Sequence, residues 1–476
     1  MTLDPQATTA HVDRTWDDDI VPVLQDYIRI PNVSVAYDAA WAEAGHMARA
    51  TELLRQWCEA RAGAGLAGAK VEVQELPGRT PLLIIDVPPA GSGRPGDTVL
   101  LYGHLDKQPP FTGWREGLGP WEPVIEGDLL YGRGGADDGY STFSALTALE
   151  AVRAAGGSHS RAIVLIEASE ESGSPDLPAH LEALGDRLGS PSLVICLDSW
   201  CGDWDRLWTT TSLRGLLDMV LEVEVLTEGV HSGSAGGVVP SSFRILRQLI
   251  GRIEDEHTGH LIPRELHVDI PDERIRQIAA TANELGDFAD RFPFAGDTHP
   301  VRPTTDQLLI ARTWEPSLEV VGMSGAPLPE EAGNVLRPRT AVKLSIRVPP
   351  TADAAAAADA VERRLTADPP YGAKVTVRRG SAEPGWHAPH DAPWLARAVE
   401  RASVAAFGQP ARALGEGGTI PFMGMLGARF PSAQFLVTGL LGPGSNAHGP
   451  NEFLHLPTAR KVTAAVAHVL DAHAQL

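Results

Sequence analysis

Three short apolar runs in this chain each lead to residues whose side chains bind metals. Apolar runs of this length, separated by helical stretches, are typical of buried parallel strands. In open α/β sheets, ligands bind beyond the carboxyl ends of the strands. The pattern therefore predicts a divalent-cation site at one sheet edge. The runs are residues 99–102, followed by His104 and Asp106; residues 162–166, followed by Glu170 and Glu171; and residues 193–197, followed by Asp198.

The composition narrows the class of protein. A chain of 476 residues favours two domains, and 43% hydrophobic residues are enough for two cores. A formal charge of −21 argues against nucleic acid as a partner, since phosphate binding needs clustered Lys and Arg. We expect no secretory leader, because the first residues have neither a basic nor an apolar stretch. We also expect no membrane span, because no run of about 18 apolar residues is present. Three cysteines indicate reduced thiols and a cytoplasmic location.

The order of elements predicts an α/β fold in which one domain is inserted into another. Residues 1–213 and 391–476 are expected to form a catalytic domain, a mixed, mostly parallel sheet with helices on both faces. Residues 214–390 read as an α+β domain with the ferredoxin-like order βαββαβ. Within it, residues 254–306 are polar and poorly patterned.

Five residues make up a plausible ligand set for two metals. Each has an ordinary alternative when taken alone: a surface His-Asp pair, a helix N-cap or a solvated acidic loop. Together, with one shared carboxylate, they would give each of two metals three protein ligands and a bridging water, as in two-metal hydrolases. Asp106 would lie behind His104, and either glutamate of 170–171 could remain free as a base. The set is His104, Asp137, Glu171, Asp198 and His448.

The motifs together resemble the M20 metallopeptidase family, and within it the branch of carnosinases and cytosolic nonspecific dipeptidases. The resemblance covers nearly the whole chain and implies a phosphorylase/hydrolase-like di-zinc peptidase domain with an inserted lid and dimerisation domain. The motifs are Gly103-His104-Leu105-Asp106, Gly132-Arg133-Gly134 through Asp137-Asp138-Gly139, Glu170-Glu171-Ser172-Gly173-Ser174, His231-Ser232-Gly233, and His448 with Asn451-Glu452.

The resemblance also implies roles for the ligand set. His104, Asp137 and Asp198 would hold one metal, and Asp137, Glu171 and His448 would hold the other. Glu170 would be the general base and Asp106 would support the ligands. The family further implies a cis peptide bond after the shared aspartate, between Asp137 and Asp138.

Further residues would bind the substrate. His231 would reach the active site of the other subunit of a homodimer and polarise the oxyanion, with Asn334 beside it. Arg347 would bind the terminal carboxylate of the substrate, because a guanidinium suits that group. The pocket would be completed by Gly418 and Thr419, with Glu416 facing a free substrate amine.

These expectations describe a cytoplasmic, homodimeric metallopeptidase that cleaves dipeptides or related small peptides. Two divalent ions per subunit are expected, Zn²⁺ first, although Mn²⁺ and Co²⁺ suit the same ligands. One alternative is an N-acyl amino acid deacylase or amidase of the same family, and another is a non-catalytic metal-binding scaffold. Tyr140 after Gly139, and the lack of a histidine in residues 381–386, depart from the carnosinase pattern and leave the substrate side chains open.

Overall fold

The computed structural model describes residues 3–94 and 96–476, and the chain divides into two compact units. The first contains Met1–Thr211, Ala388–Leu414 and Met425–Leu476, and the second contains Ser212–His387 and Gly415–Gly424. The domain boundaries near 213 and 390 stay a prediction. The units differ from them chiefly in assigning Gly415–Gly424 to the second unit.

The first unit is built on a six-stranded mixed sheet. The last four strands in spatial order are mutually parallel, and the second runs antiparallel to both of its neighbours. This confirms the predicted α/β class with a mostly parallel sheet. In spatial order the strands are Lys70–Gln74, Leu82–Val87, Arg161–Glu167, Thr98–His104, Pro191–Cys196 and Gln434–Val437.

Both faces of this sheet are covered. Every residue of the central strand Thr98–His104 is buried, although successive side chains point to opposite faces. The helix Leu456–Ala474 is alanine-rich and buried along most of its length, so it packs closely into the core. The other α-helices of this unit are Pro5–Thr15, Val21–Ile28, Trp41–Ala44, His46–Ala64, Ser141–Ala154, Leu177–Leu184 and Pro393–Phe407, and Trp16–Ile20 joins the first two as a π-helix.

The second unit contains a four-stranded antiparallel sheet with two helices in the predicted βαββαβ order. Buried and partly exposed residues alternate along Gly215–Glu224, as expected where one face carries the core. The other strands are Ser317–Ser324, Arg339–Val348 and Lys374–Glu383, and the two helices are Ser242–Ile250 and Ala354–Thr366.

The segment 254–306, which is poorly patterned in sequence, contains a regular helix, Asp272–Leu285. Its buried residues include Arg274 and Thr281, so the buried face of the helix is partly polar. A pattern of apolar residues alone therefore does not predict this helix. Thr305–Thr313 forms a second helix, and Ser232–Ala235 a single turn. Pro421–Arg429 begins in the second unit and ends in the first.

Small sheets complete the fold and bring distant motifs together. The strand Phe453–His455 pairs with Leu129–Tyr131. The glycine-rich segment follows Leu129–Tyr131 in the chain, and this pairing brings it close to the segment around His448. In the described residues, no helix is long and apolar enough to span a membrane. The remaining strands are Val124–Glu126 beside Leu129–Tyr131; Val230–His231 with Val335–Leu336; and Trp208–Leu213 between Trp386–His387 and Arg412–Glu416.

The central sheet generates a stability prediction at Leu101. This side chain is fully buried in the core of the first unit, so Leu101→Ala should lower the free energy of unfolding by about 2–5 kcal/mol. Val404→Ala, at a residue that is 50% exposed in the same unit, is the control and should change it little. Urea denaturation followed by fluorescence measures both, and equal midpoints for the two variants would contradict the assignment of Leu101 to the core.

Candidate metal centre

The candidate ligands lie where strands end. His104 is the last residue of Thr98–His104, and Asp198 follows Pro191–Cys196 by two residues. Glu171 lies in a 3₁₀ turn, Glu170–Ser172, just after Arg161–Glu167. Because these three strands are parallel neighbours, their carboxyl ends bring the side chains to one edge of the sheet.

These ligands form two groups that share Asp137. In one, His104 Nε2 lies 3.3 Å from Asp137 Oδ1 and 3.7 Å from Asp198 Oδ2. In the other, His448 Nε2 lies 3.0 Å from Asp137 Oδ2 and 3.3 Å from Glu171 Oε2. Within each group, the ligand atoms lie within 4.8 Å of one another. We refer to these five residues as the metal centre.

The donors of the metal centre suit a cation. His104 Nε2 and Glu171 Oε1 are buried and lack a hydrogen-bond partner among the described residues, and such atoms are costly unless something binds them. His104 Nδ1 lies 3.0 Å from the backbone oxygen of Asp106, which fixes the ring with Nε2 turned to the carboxylates. Imidazole with carboxylate oxygen is a donor set suited to zinc and related divalent ions.

The raised pKa values of three carboxylates also indicate a site for a cation. Burial raises the pKa of Asp198 to about 6, against the lowering effect of His104. Burial and the charge of Asp137 raise the pKa of Glu171 well above its ordinary value. Burial and the charges of Asp198 and Glu171 do the same to the pKa of Glu170. Carboxylates crowded in this way need positive charge beside them before all of them can ionise.

Asp106 supports the glutamates as well as the histidine. Its two carboxylate oxygens accept hydrogen bonds from the backbone N–H groups of Glu170 and Glu171, each at 3.0 Å. Gln108, which sequence reasoning missed, donates from Nε2 to Glu171 Oε2 at 2.6 Å. Its position two residues after Asp106 was the available signal, since alternate residues of an extended segment share a face.

The glycine-rich segment approaches the sheet edge very closely. The peptide bond between Asp137 and Asp138 is cis, as the family resemblance implies. Asp138 Oδ2 accepts a hydrogen bond from the backbone N–H of His104 at 3.2 Å. A Cβ at Gly103 would lie 2.1 Å from Ser141 Oγ and 2.6 Å from Asp138 Oδ2, so this approach requires glycine at position 103.

A fully buried lysine, Lys107, was also missed. Its Nζ donates to the backbone oxygens of Tyr27 and Ile30, each at 2.8 Å, near the end of the helix Val21–Ile28. A side-chain N–H donor at a helix C-terminus satisfies carbonyls that have no partner within the helix. Lys107 thereby joins this helix to the segment that carries Asp106. Its type and spacing gave no signal of burial, because lysine is usually exposed.

The remaining predicted site residues all lie in the second unit. His231 is exposed and pairs with Val335, and the backbone oxygen of Asn334 accepts from the N–H of Ser232 at 2.9 Å, so His231 and Asn334 lie close together. Arg347 Nη1 donates to Thr419 Oγ1 at 3.0 Å, with Gly418 next to Thr419 in the chain.

Glu416 has a partner that the sequence did not indicate. Its Oε1 accepts hydrogen bonds from Arg312 Nη2 and from the backbone N–H of Gly417. Arg312 lies on the helix Thr305–Thr313. The carboxylate expected to face a substrate amine is therefore already paired with a guanidinium.

Comparison with known proteins finds relatives that are named as dipeptidases. The chain is 29% identical over 379 residues to a cysteinylglycine-S-conjugate dipeptidase of Corynebacterium striatum, covering 78% of this chain and 80% of that protein. It is 27% identical over 437 residues to the human Beta-Ala-His dipeptidase, covering 86% and 81%. In fold it resembles the solved di-peptidase Dug1p of Saccharomyces cerevisiae, with a TM-score of 0.79, 21% identity and full coverage of both chains.

A family model carries the assignment. Residues 100–472 match the model of peptidase family M20/M25/M40, a span that includes all five residues of the metal centre. This span is most of the chain, and the chain therefore belongs to peptidase family M20/M25/M40.

Proposed function

We propose that this chain is a metal-dependent dipeptidase that hydrolyses the peptide bond of small peptides. The observation that carries the proposal is the geometry of the metal centre: two ligand groups sharing Asp137, with Glu170 beside them and outside both groups. The relatives named as dipeptidases support the choice of substrate.

The metal centre would hold two divalent ions, Zn²⁺ in first place and Mn²⁺ or Co²⁺ as alternatives. His104, Asp137 and Asp198 would bind one ion, and Asp137, Glu171 and His448 the other. When bound, such ions polarise a carbonyl and lower the pKa of water. They would also offset the mutual repulsion of the carboxylates, which supports their presence.

Glu170 would act as the general base. A base must lie beside the site without being consumed as a ligand, and Asp106 holds the backbone of Glu170 in place. Glu170 would take a proton from the water that attacks the peptide carbonyl. It would then deliver this proton to the amine as the carbon–nitrogen bond breaks.

Residues of the second unit would bind and orient the substrate. Arg347, held by Thr419, would bind the terminal carboxylate, and Gly418 would line the same pocket. His231, with Asn334 beside it, would stabilise the oxyanion. In this proposal residues 214–390 form the lid and dimerisation domain of a cytoplasmic homodimer, and each His231 serves the catalytic domain of the partner subunit.

The pairing of Glu416 favours a second candidate, an N-acyl amino acid deacylase or amidase. A carboxylate already paired with Arg312 attracts a free substrate amine less strongly than an unpaired one. A substrate with a blocked amino group would not need that attraction. The two candidates share the metal centre and Glu170, and they differ only in how the amino end is recognised.

A substrate panel tests the function and separates the two candidates. Zinc-loaded protein should cleave dipeptides that carry free amino and carboxyl termini, and their N-acetylated counterparts much more slowly. Chelation should abolish the activity and added Zn²⁺ should restore it, because in the proposed mechanism the bound ions polarise the carbonyl and lower the pKa of water. Amino acid release, measured by chromatography, is the readout. Faster cleavage of the acetylated series would favour the deacylase, and full activity without metal would reject both.

Removing the carboxylate of Glu170 should separate chemistry from metal binding. Glu170→Gln should retain both metals and lower kcat about 100- to 10,000-fold, because the amide cannot accept the proton. Glu182→Gln, at an exposed residue in the helix Leu177–Leu184, is the matched control and should retain the parent rate. Steady-state kinetics and metal analysis give the two readouts. A normal kcat in Glu170→Gln would contradict the assignment of the base.

Complementation between two inactive variants tests whether His231 acts on the partner subunit. Glu170→Gln and His231→Ala should each be nearly inactive alone. Co-expressed, they should form mixed dimers in which the His231→Ala subunit keeps its base and receives the partner's intact histidine. Random assortment then gives roughly a quarter of the parent activity. Activity no higher than that of the single variants would show that His231 does not act in trans.

A further inference from the structure

Arg133 and Glu452 form a buried ion pair to which the proposed function assigns no role. Their side chains are 1% and 0% exposed, and Arg133 Nη1 donates to Glu452 Oε2. Burial raises the pKa of Glu452 to about 7, against the lowering effect of Arg133. Taking two charges out of water is costly, so a pair in this position is a weak contributor to stability and calls for another explanation.

The other hydrogen bonds of the pair reach the backbone of two distant segments. Glu452 Oε1 accepts from the N–H of Gly134 at 2.9 Å, and the backbone oxygen of Glu452 accepts from the N–H of Gly132 at 3.0 Å. Arg133 Nη2 donates to the backbone oxygen of Gly449 at 2.6 Å. Each side chain thus holds the backbone of the segment from which the other comes.

Those two segments each carry a ligand of the same metal subsite. Asp137 follows Gly134 by three residues and lies within a turn that is closed by a hydrogen bond from the N–H of Gly139 to the oxygen of Gly134 at 3.0 Å. His448 directly precedes Gly449. The ion pair therefore joins the backbone at Gly134 to the backbone at Gly449. These two positions lie next to the ligands whose atoms, His448 Nε2 and Asp137 Oδ2, are 3.0 Å apart.

The segment around His448 needs such support. His448 has φ of 65° and Asn451 has φ of 62°, in the left-handed region that is unfavourable for residues with a Cβ. The His448 side chain is 56% exposed, so core packing does not hold it in place. A conformation of this kind persists only where the surrounding structure fixes it. The bond from Arg133 to Gly449 contributes to this, together with the bond from the N–H of Arg115 to Asn451 Oδ1 at 2.7 Å.

We propose that Arg133 and Glu452 are a positioning pair for the metal subsite of Asp137, Glu171 and His448. This inference rests on the proposed function, since it requires that the subsite binds an ion. The pair acts through backbone: its hydrogen bonds to Gly134 and Gly449 fix where Asp137 and His448 present their donors. Hydrogen bonds that orient ligands typically contribute about 10- to 100-fold to metal affinity.

A second buried ion pair of the same unit provides a matched control. Arg61 Nε donates to both oxygens of Glu150, at 2.9 and 3.0 Å, and the Glu150 side chain is 1% exposed. Arg61 also pairs with Asp19, and none of these residues belongs to a segment that carries a candidate ligand. Glu150→Gln removes a buried negative charge as Glu452→Gln does, but away from the metal centre.

The test is a zinc titration of the chelator-stripped full chain, read by a competing chromophoric chelator and by metal analysis. The parent protein and Glu150→Gln should bind two zinc ions with the same affinities. Glu452→Gln should bind one ion as the parent does and the second about 10- to 100-fold more weakly. Binding of both ions by Glu452→Gln with parent affinity would overturn the inference.

The double variant Arg133→Met/Glu452→Leu covers the case in which a single substitution prevents folding. Apolar residues of similar size often replace a buried ion pair with little loss of stability. They cannot make the bonds to Gly134 and Gly449, so this variant should fold and still bind the second ion weakly. If the double variant binds both ions with the affinity of the parent protein, the positioning role is wrong but the proposed function stands. If the parent protein itself binds no zinc, both the positioning role and the proposed function are wrong.

Discussion

The electrostatic cost of carboxylates buried together at one edge of a sheet governs the arrangement of the first unit. The nearby basic side chains other than the histidines do not relieve it. Lys107 directs its Nζ to backbone oxygens, and Arg133 pairs with Glu452. His104 and His448 lie between the carboxylates with nitrogen atoms that are themselves suited to a metal. Since unpaired buried charges are strongly unfavourable, the crowded carboxylates favour the binding of cations at the metal centre.

Part of the metal centre could be predicted from sequence because of a rule about strands. His104, Glu171 and Asp198 follow apolar runs, and parallel strands bring their carboxyl ends to the same edge. No such rule places Asp137 or His448, which lie in irregular segments 311 residues apart. Their residue types made them candidate donors, and the resemblance to a family assigned both to the same metal. The strand pairing of Leu129–Tyr131 with Phe453–His455 explains physically how the two segments meet.

Other features could not be predicted because the residue types were ambiguous. The helix Asp272–Leu285 buries Arg274 and Thr281, so hydropathy does not mark its inner face. Glu416 reads as a free carboxylate until the helix Thr305–Thr313 supplies Arg312. Arg274 donates from Nε to His387 Nε2 at 3.0 Å, so in both cases a partner lies elsewhere in the chain. A sequence pattern contains no information about which distant residue will satisfy a polar group. The βαββαβ order was predictable because it depends only on local periodicity and the order of elements.

The arrangement around Glu170 argues against a scaffold that merely holds metal. A scaffold needs ligands and the residues that orient them. Here Asp106, a fully buried carboxylate, accepts hydrogen bonds from the backbone of Glu170 as well as from that of the candidate ligand Glu171. Burial and neighbouring charges raise the pKa of Glu170, so this group holds a proton more readily than an exposed glutamate. Fixing such a group beside the metal centre and outside its ligand set gives no advantage in binding a cation, whereas proton transfer requires it.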